Sequence, residues 1–248
     1  MSKERSLKDY GLITAKGLGM GAADAVPGVS GGTIAFISGI YEELLSTIAN
    51  VNLRALKVLR TGGIKAFWKH VNGNFLVALL LGVGIGLIGL AKVVNYFLEF
   101  HQTTLWSFFF GLVIASFIYV AKQVKQWRWQ ELLGLILGGT VAYAITIMPP
   151  IAGGSGHLFI FFSGFIAICA MILPGISGSF ILLLLGAYKP VLSAIDSSDF
   201  GLLGVFGAGC IAGLLTFSHV LKWLFSKFES LVIAILSGFL LGLSLIHI

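Results

Sequence analysis

The sequence predicts an all-α polytopic membrane protein, an inverted-topology repeat with two opposed re-entrant helical hairpins. Three observations carry this expectation: the composition, a doubled motif and the distribution of charge. Of 248 residues, 57% are hydrophobic and 10% charged, with a mean hydropathy of +0.99. Soluble domains carry about 25% charged residues. The 33 glycines also suit packed transmembrane helices. The net charge of +6 does not call for nucleic acid, because the basic residues sit in short loops between apolar runs.

In chain order, the polar start MSKERSLKDYG is followed by no small-residue cleavage site. Region 11–49 is apolar but is broken by PGVSGGT, Pro27 to Thr33. Each of its arms, at about 16–18 residues or about 25 Å of helix, is short for a span, so a re-entrant hairpin is expected. Phe75–Leu98, Thr103–Ala121 and Leu132–Met148 are three spans. Region 158–195 is a second hairpin, broken by PGISGS, Pro174 to Ser179. Two more spans, Gly201–Leu221 and Leu231–Ile248, complete the chain. Cys169 and Cys210 lie in apolar runs, and the five histidines lack ligand spacing, so no metal or cofactor is expected.

A shift of 147 residues aligns 27–48 with 174–195 without a gap, with ten of 22 positions identical. The shared residues include PG-x-SG, Gly39/Gly186, Tyr41/Tyr188 and Ser46/Ser193. This is an internal repeat. Residues 1–148 form the first half and 149–248 the second. Three intervening spans place the second hairpin on the face opposite the first. With a cytoplasmic N-terminus, thirteen basic residues lie inside and two, Lys92 and Lys189, outside. The second half has one span fewer than the first and ends in an apolar run, so a missing C-terminal span is expected, and SLIHI is suspect as a native tail.

The doubled motif also suggests chemistry. Proline prevents a helix from continuing, glycine bares the backbone, and serine caps the next helix. Ser30, Gly31, Gly32 and Thr33, with Ser177, Gly178 and Ser179, then offer amides and hydroxyls to a phosphate or carboxylate. The alternative is a tight packing turn satisfied by neighbouring helices. Asp24, inside an apolar arm, is either a hairpin-stabilising group or a proton-coupling one. Glu42, Tyr41 and Tyr188 are supporting candidates, and Glu43 reads as a residue returning to the interface. Lys16 and Lys189 either draw an anionic head group or snorkel. The pairs Gly134/Gly138, Gly209/Gly213 and Gly238/Gly242 read as helix packing.

Residues 19–45, GMGAADAVPGVSGGTIAFISGIYEELL, together with 171–195 and SGFLLG (237–242), resemble the signature of the bacterial polyprenyl-phosphate transporter family. The resemblance implies a flippase, not an enzyme. Its substrate is undecaprenyl phosphate, returned from the outer to the inner leaflet of the bacterial cytoplasmic membrane for envelope synthesis. The phosphate would be held at the two motifs, with proton or cation coupling and membrane lipids as neighbours. A small-anion channel or antiporter is the first alternative. A membrane undecaprenyl-pyrophosphate phosphatase is the second; the place of that family's arginine is taken here by Gly31 and Gly178.

Overall fold

The computed structural model describes residues 5–24, 30–151, 153–154 and 156–244. The turn residues 25–29, including Pro27 and Gly28, Lys3 and the tail from 245 onward lie outside the described residues. Every regular element among the described residues is helical. In order they are α1 (Leu7–Asp24), α2 (Gly31–Ile37), α3 (Tyr41–Ala49), α4 (Leu53–His70), α5 (Gly73–Phe100) and α6 (Gln102–Ala121). They continue with α7 (Trp129–Ile147), α8 (His157–Ile172), α9 (Gly178–Leu184), α10 (Tyr188–Asp196) and α11 (Phe200–Leu243).

Helices α5, α6, α7 and α11 are long and apolar enough to cross a membrane. Their outer faces leave Leu80, Leu81, Ile85, Ile88, Phe108 and Ile136 exposed, a surface that lipid covers. The chain is a multi-pass, all-α membrane protein. α11 has 44 residues, about 66 Å of helix or twice the hydrocarbon thickness. Non-helical backbone at Phe228 (φ −135°, ψ 41°) divides it where the sequence separates two spans.

Helix direction follows from glycine contacts. Gly17 lies against Leu79 and Gly82, Gly21 against Val83 and Leu87, and Thr14 Oγ1 donates to Ala78 O at 3.1 Å. Position rises together on both chains, so α1 and α5 run parallel. The chain between them therefore returns to the level at which α1 began. Polar contacts close that base: Arg5 pairs with Glu43 at 2.6 Å, and Asn72 Nδ2 donates to the other Glu43 oxygen at 2.7 Å. Arg5 sits outside the membrane-spanning part, and its hydrogen bond to Glu43 holds the guanidinium above its ordinary pKa despite partial burial.

The second hairpin repeats the pattern. Gly209 meets Phe161, Gly164 meets Phe206 and Cys210, and Gly213 meets Phe165, so α8 and the first part of α11 also run parallel. The last part of α11 runs parallel to α7, with Gly134 and Gly138 on Ile235 and Gly238 on Leu135 and Gly139. All three expected glycine pairs thus lie in helix contacts. The α1–α5 seam, built on Gly17, Gly21, Gly82 and Gly86, is a fourth.

The returning arms differ from the expectation of one helix each. Both break at a glycine with positive φ, Gly39 (73°) and Gly186 (70°), a conformation that L side chains rarely adopt. The inner pieces, α2 and α9, have seven residues each. Beyond the second break α10 turns by 109° and exposes Leu192 and Ile195 while burying Val191 and Ala194. α4 is an addition to the expected elements: a basic helix, kinked at Gly63 (φ 72°), carrying Arg54, Lys57, Arg60, Lys65 and Lys69.

A Cβ at Gly82 would collide with the Thr14 carbonyl of α1. Gly82→Val is expected to cost about 2 kcal/mol through overpacking, read as a lower midpoint of thermal unfolding in detergent. Gly84→Val, with open space beside it, serves as the tolerant control.

Candidate functional site

The first motif meets the end of α8, the helix that leads into the second. Pro174 lacks an N–H and ends α8, so carbonyls near the helix end lose their in-helix partners. The first hairpin supplies replacements. Ser30 Oγ donates to Met171 O at 3.4 Å, and Tyr41 OH donates to Ile172 O at 3.0 Å. Gly32 passes so close that a Cβ there would lie 3.0 Å from Ile172 O.

The first motif is closed in on itself. Ser30 caps α2, its hydroxyl accepting from Gly32 N at 3.1 Å. Asp24, at the end of α1, accepts from Gly31 N at 2.7 Å, so a carboxylate already occupies the first amide. Ser30, Gly31, Gly32 and Thr33 are all buried. Thr33, 1% exposed, has no partner for its hydroxyl among the described residues, an unmet polar group beside this tip.

The second motif is open. Ser177 makes no cap bond, and its hydroxyl instead meets that of Ser179 at 2.8 Å. Ser179 is exposed, and Ser177 and Gly178 are half-buried. The position matching Asp24 is Met171, so this copy has no built-in carboxylate. A seven-residue helix has little macrodipole, so anion affinity here rests on individual amides and hydroxyls.

Beside the first tip lies a cavity of about 140 Å³. Asp24, Gly32 and Tyr41 supply its polar edge, and Leu44, Leu45, Ile48, Ile168 and Met171 much of its apolar wall. Phe36, Tyr41 and Phe225 pack with ring centroids 5.0–6.4 Å apart. This aromatic cluster stands between the tip cavity and an open one of about 630 Å³ lined by Phe36, Tyr41, Glu42, Glu43 and Gln123.

The other expected residues fall elsewhere. Lys16 Nζ donates to Ser38 O at 2.7 Å, closing the C-terminal end of α2. Glu42 faces the open cavities along α3. Tyr188 and Lys189 are exposed on α10, away from the tips, so Tyr188 does not share the buried role of Tyr41. Glu43, read from sequence as an interfacial residue, is the acceptor that joins the N-terminus, α3 and the start of α5. Among the described residues no cluster of His, Cys, Asp or Glu is placed to hold a metal.

The family described as "Undecaprenyl phosphate translocase-like" matches residues 20–248. A Vibrio cholerae protein named "Polyprenyl-phosphate transporter" is 47% identical over 227 residues, covering 92% of this chain and 74% of its own. A Staphylococcus aureus protein of the same name is 30% identical over 248 residues, covering 92% and 82%. No solved structure matches.

Ser30→Ala removes a cap and a tie between the hairpins, and Tyr41→Phe removes the second tie while keeping the ring. Each is expected to lower stability by about 1 kcal/mol, measured by thermal unfolding. Ser177→Ala, whose hydroxyl meets that of Ser179 and no other partner among the described residues, should leave the midpoint unchanged.

Proposed function

We propose, from the premise that this chain belongs to the undecaprenyl phosphate translocase-like family, that it carries polyprenyl phosphate between the leaflets of a bacterial cytoplasmic membrane. The direction is from outer to inner leaflet, with the N-terminus cytoplasmic. It is a transporter rather than an enzyme, in keeping with the names of its relatives. The observation that carries the reading is the seating of the first Gly/Ser motif on the end of α8, the helix that leads into the second motif, beside an apolar cavity edged by Asp24 and Gly32.

The two halves, 1–148 and 149–248, act as an inverted pair. The isoprenoid tail stays in hydrocarbon while the phosphate, costly to move through it bare, is passed between the tips. In the present conformation the second motif receives it: Ser177, Gly178 and Ser179 donate to the phosphate oxygens. The first motif takes over only when Asp24 leaves the Gly31 amide, because carboxylate and phosphate compete for the same donor and repel one another. A proton on Asp24 weakens its hold on Gly31 and removes that repulsion, coupling proton binding to transfer. The apolar wall of the tip cavity favours a lipid over a small anion, which calls for a polar lining throughout.

The test is reconstitution in liposomes with labelled undecaprenyl phosphate, following its accessibility in each leaflet. The double change Ser177→Ala, Ser179→Ala should slow transfer about a hundredfold or more, the loss expected for two hydrogen bonds to a charged group, with folding intact. Transfer by the parent should accelerate as pH falls, and Asp24→Asn should flatten that dependence. An Asp24→Asn protein with the parent's rate and pH profile would remove Asp24 from the mechanism. Anion flux without lipid movement would point to a channel instead.

A further inference from the structure

α3 is a common wall for several cavities. Near its start, Tyr41 and Leu45 face the tip cavity. One turn on, Leu45, Glu42 and Ser46 border a cavity of about 390 Å³ that α11 completes with Lys222 and Glu229. At its end, Ala49 and Asn50 open on a third, of about 540 Å³, whose remaining lining is Asn52, Arg54, His219 and Lys222. Lys222 belongs to both of the last two. The third cavity lies at the base of the first hairpin, where Asn50 Nδ2 donates to His70 O just before α5 begins.

Its charge is unmatched. Among the described residues neither Arg54 nor Lys222 has a carboxylate within ion-pair distance. His219 donates Nδ1–H to Leu215 O at 2.6 Å, which leaves Nε2 for another partner. The nearby carboxylates, Glu42 and Glu229, line the middle cavity, and Glu229 is engaged by Lys125 at 2.6 Å. The third cavity, lined by Arg54 of α4 and Lys222 of α11 and by no carboxylate among the described residues, therefore attracts a phosphate more than the middle one does.

We propose that the cavity bounded by Arg54, His219 and Lys222 is a second phosphate site, which docks a phosphomonoester headgroup at the base of the first hairpin. It rests on the transport reading above, in which it is the place where the lipid phosphate is held before release. Arg54 supplies two parallel donors, and Lys222, which also lines the middle cavity, a point charge. The cavity is open, so the tail can remain in the neighbouring leaflet.

The test uses the full protein and the variants Arg54→Gln, Lys222→Gln and their combination, with Arg54→Lys as the charge-conserving comparison. Binding of farnesyl phosphate and, separately, of inorganic phosphate is measured by native mass spectrometry, and transfer of labelled undecaprenyl phosphate in liposomes. The double variant should lose about a hundredfold in farnesyl phosphate binding and in transfer rate, as two charge-assisted contacts disappear. Arg54→Lys should retain most of both. Loss of farnesyl phosphate binding alone identifies a lipid headgroup site, and a parallel loss of inorganic phosphate identifies a site that reads the phosphate group itself. A double variant that binds both phosphates like the parent overturns the proposal. If the parent binds farnesyl phosphate through these residues yet moves no lipid, the transport reading fails and the site stands.

Discussion

Carbonyl groups left over at the end of α8 hold the two halves together. A helix that stops inside an apolar medium must find donors for its last acceptors, and water is not at hand. Pro174 forces the stop, and Ser30 and Tyr41, more than 130 residues earlier, supply the donors. Neither hairpin is complete alone. The first needs an acceptor for Ser30 and Tyr41; the second needs their hydroxyls. The glycine seams serve the same end, drawing α1 and α8 tightly against α5 and α11.

Copies of one motif have become unlike by a single neighbour. Asp24 fills the first tip with a charge of the chain's own, while its counterpart Met171 leaves the second without one. Tyr41 is wedged between Phe36 and Phe225, whereas Tyr188 lies on the surface. Sequence identity at these positions therefore preserves the backbone turn but not the side-chain role. One copy is thus closed on itself and the other open.

Much of this was legible in the residues themselves. The apolar runs marked the spans, because hydrocarbon thickness sets helix length, and the ungapped repeat marked both hairpins. Glycine at every fourth position announced helix contacts, and the α1–α5 seam could have been read from GLGMG and GVGIG in the same way. What stayed hidden depended on partners far apart in the chain. Nothing local says that Asp24 reaches Gly31, that Lys16 closes α2, or that Glu43 gathers Arg5 and Asn72. The break of each returning arm was signalled only by Gly39 and Gly186, in runs greasy enough to suggest an unbroken helix. The gathering of Arg54 with His219 and Lys222 was invisible because α11 reaches the end of α3 only in the fold.

The bend at Gly186 has a geometric consequence for the hairpin beyond making room for a turn. α10, with Leu192 and Ile195 on its outer side and Lys189 and Asp196 at its two ends, is suited to float at the boundary between headgroups and hydrocarbon. α9 then hangs from that float, and its seven residues reach about 10 Å inward, a third of the hydrocarbon thickness. The depth of Ser177 is thus measured from the membrane surface by the length of one short helix. Adding a single residue to α9 would sink the tip by about 1.5 Å and swing it by about 100°, so the count of seven acts as a ruler for the depth of the second motif.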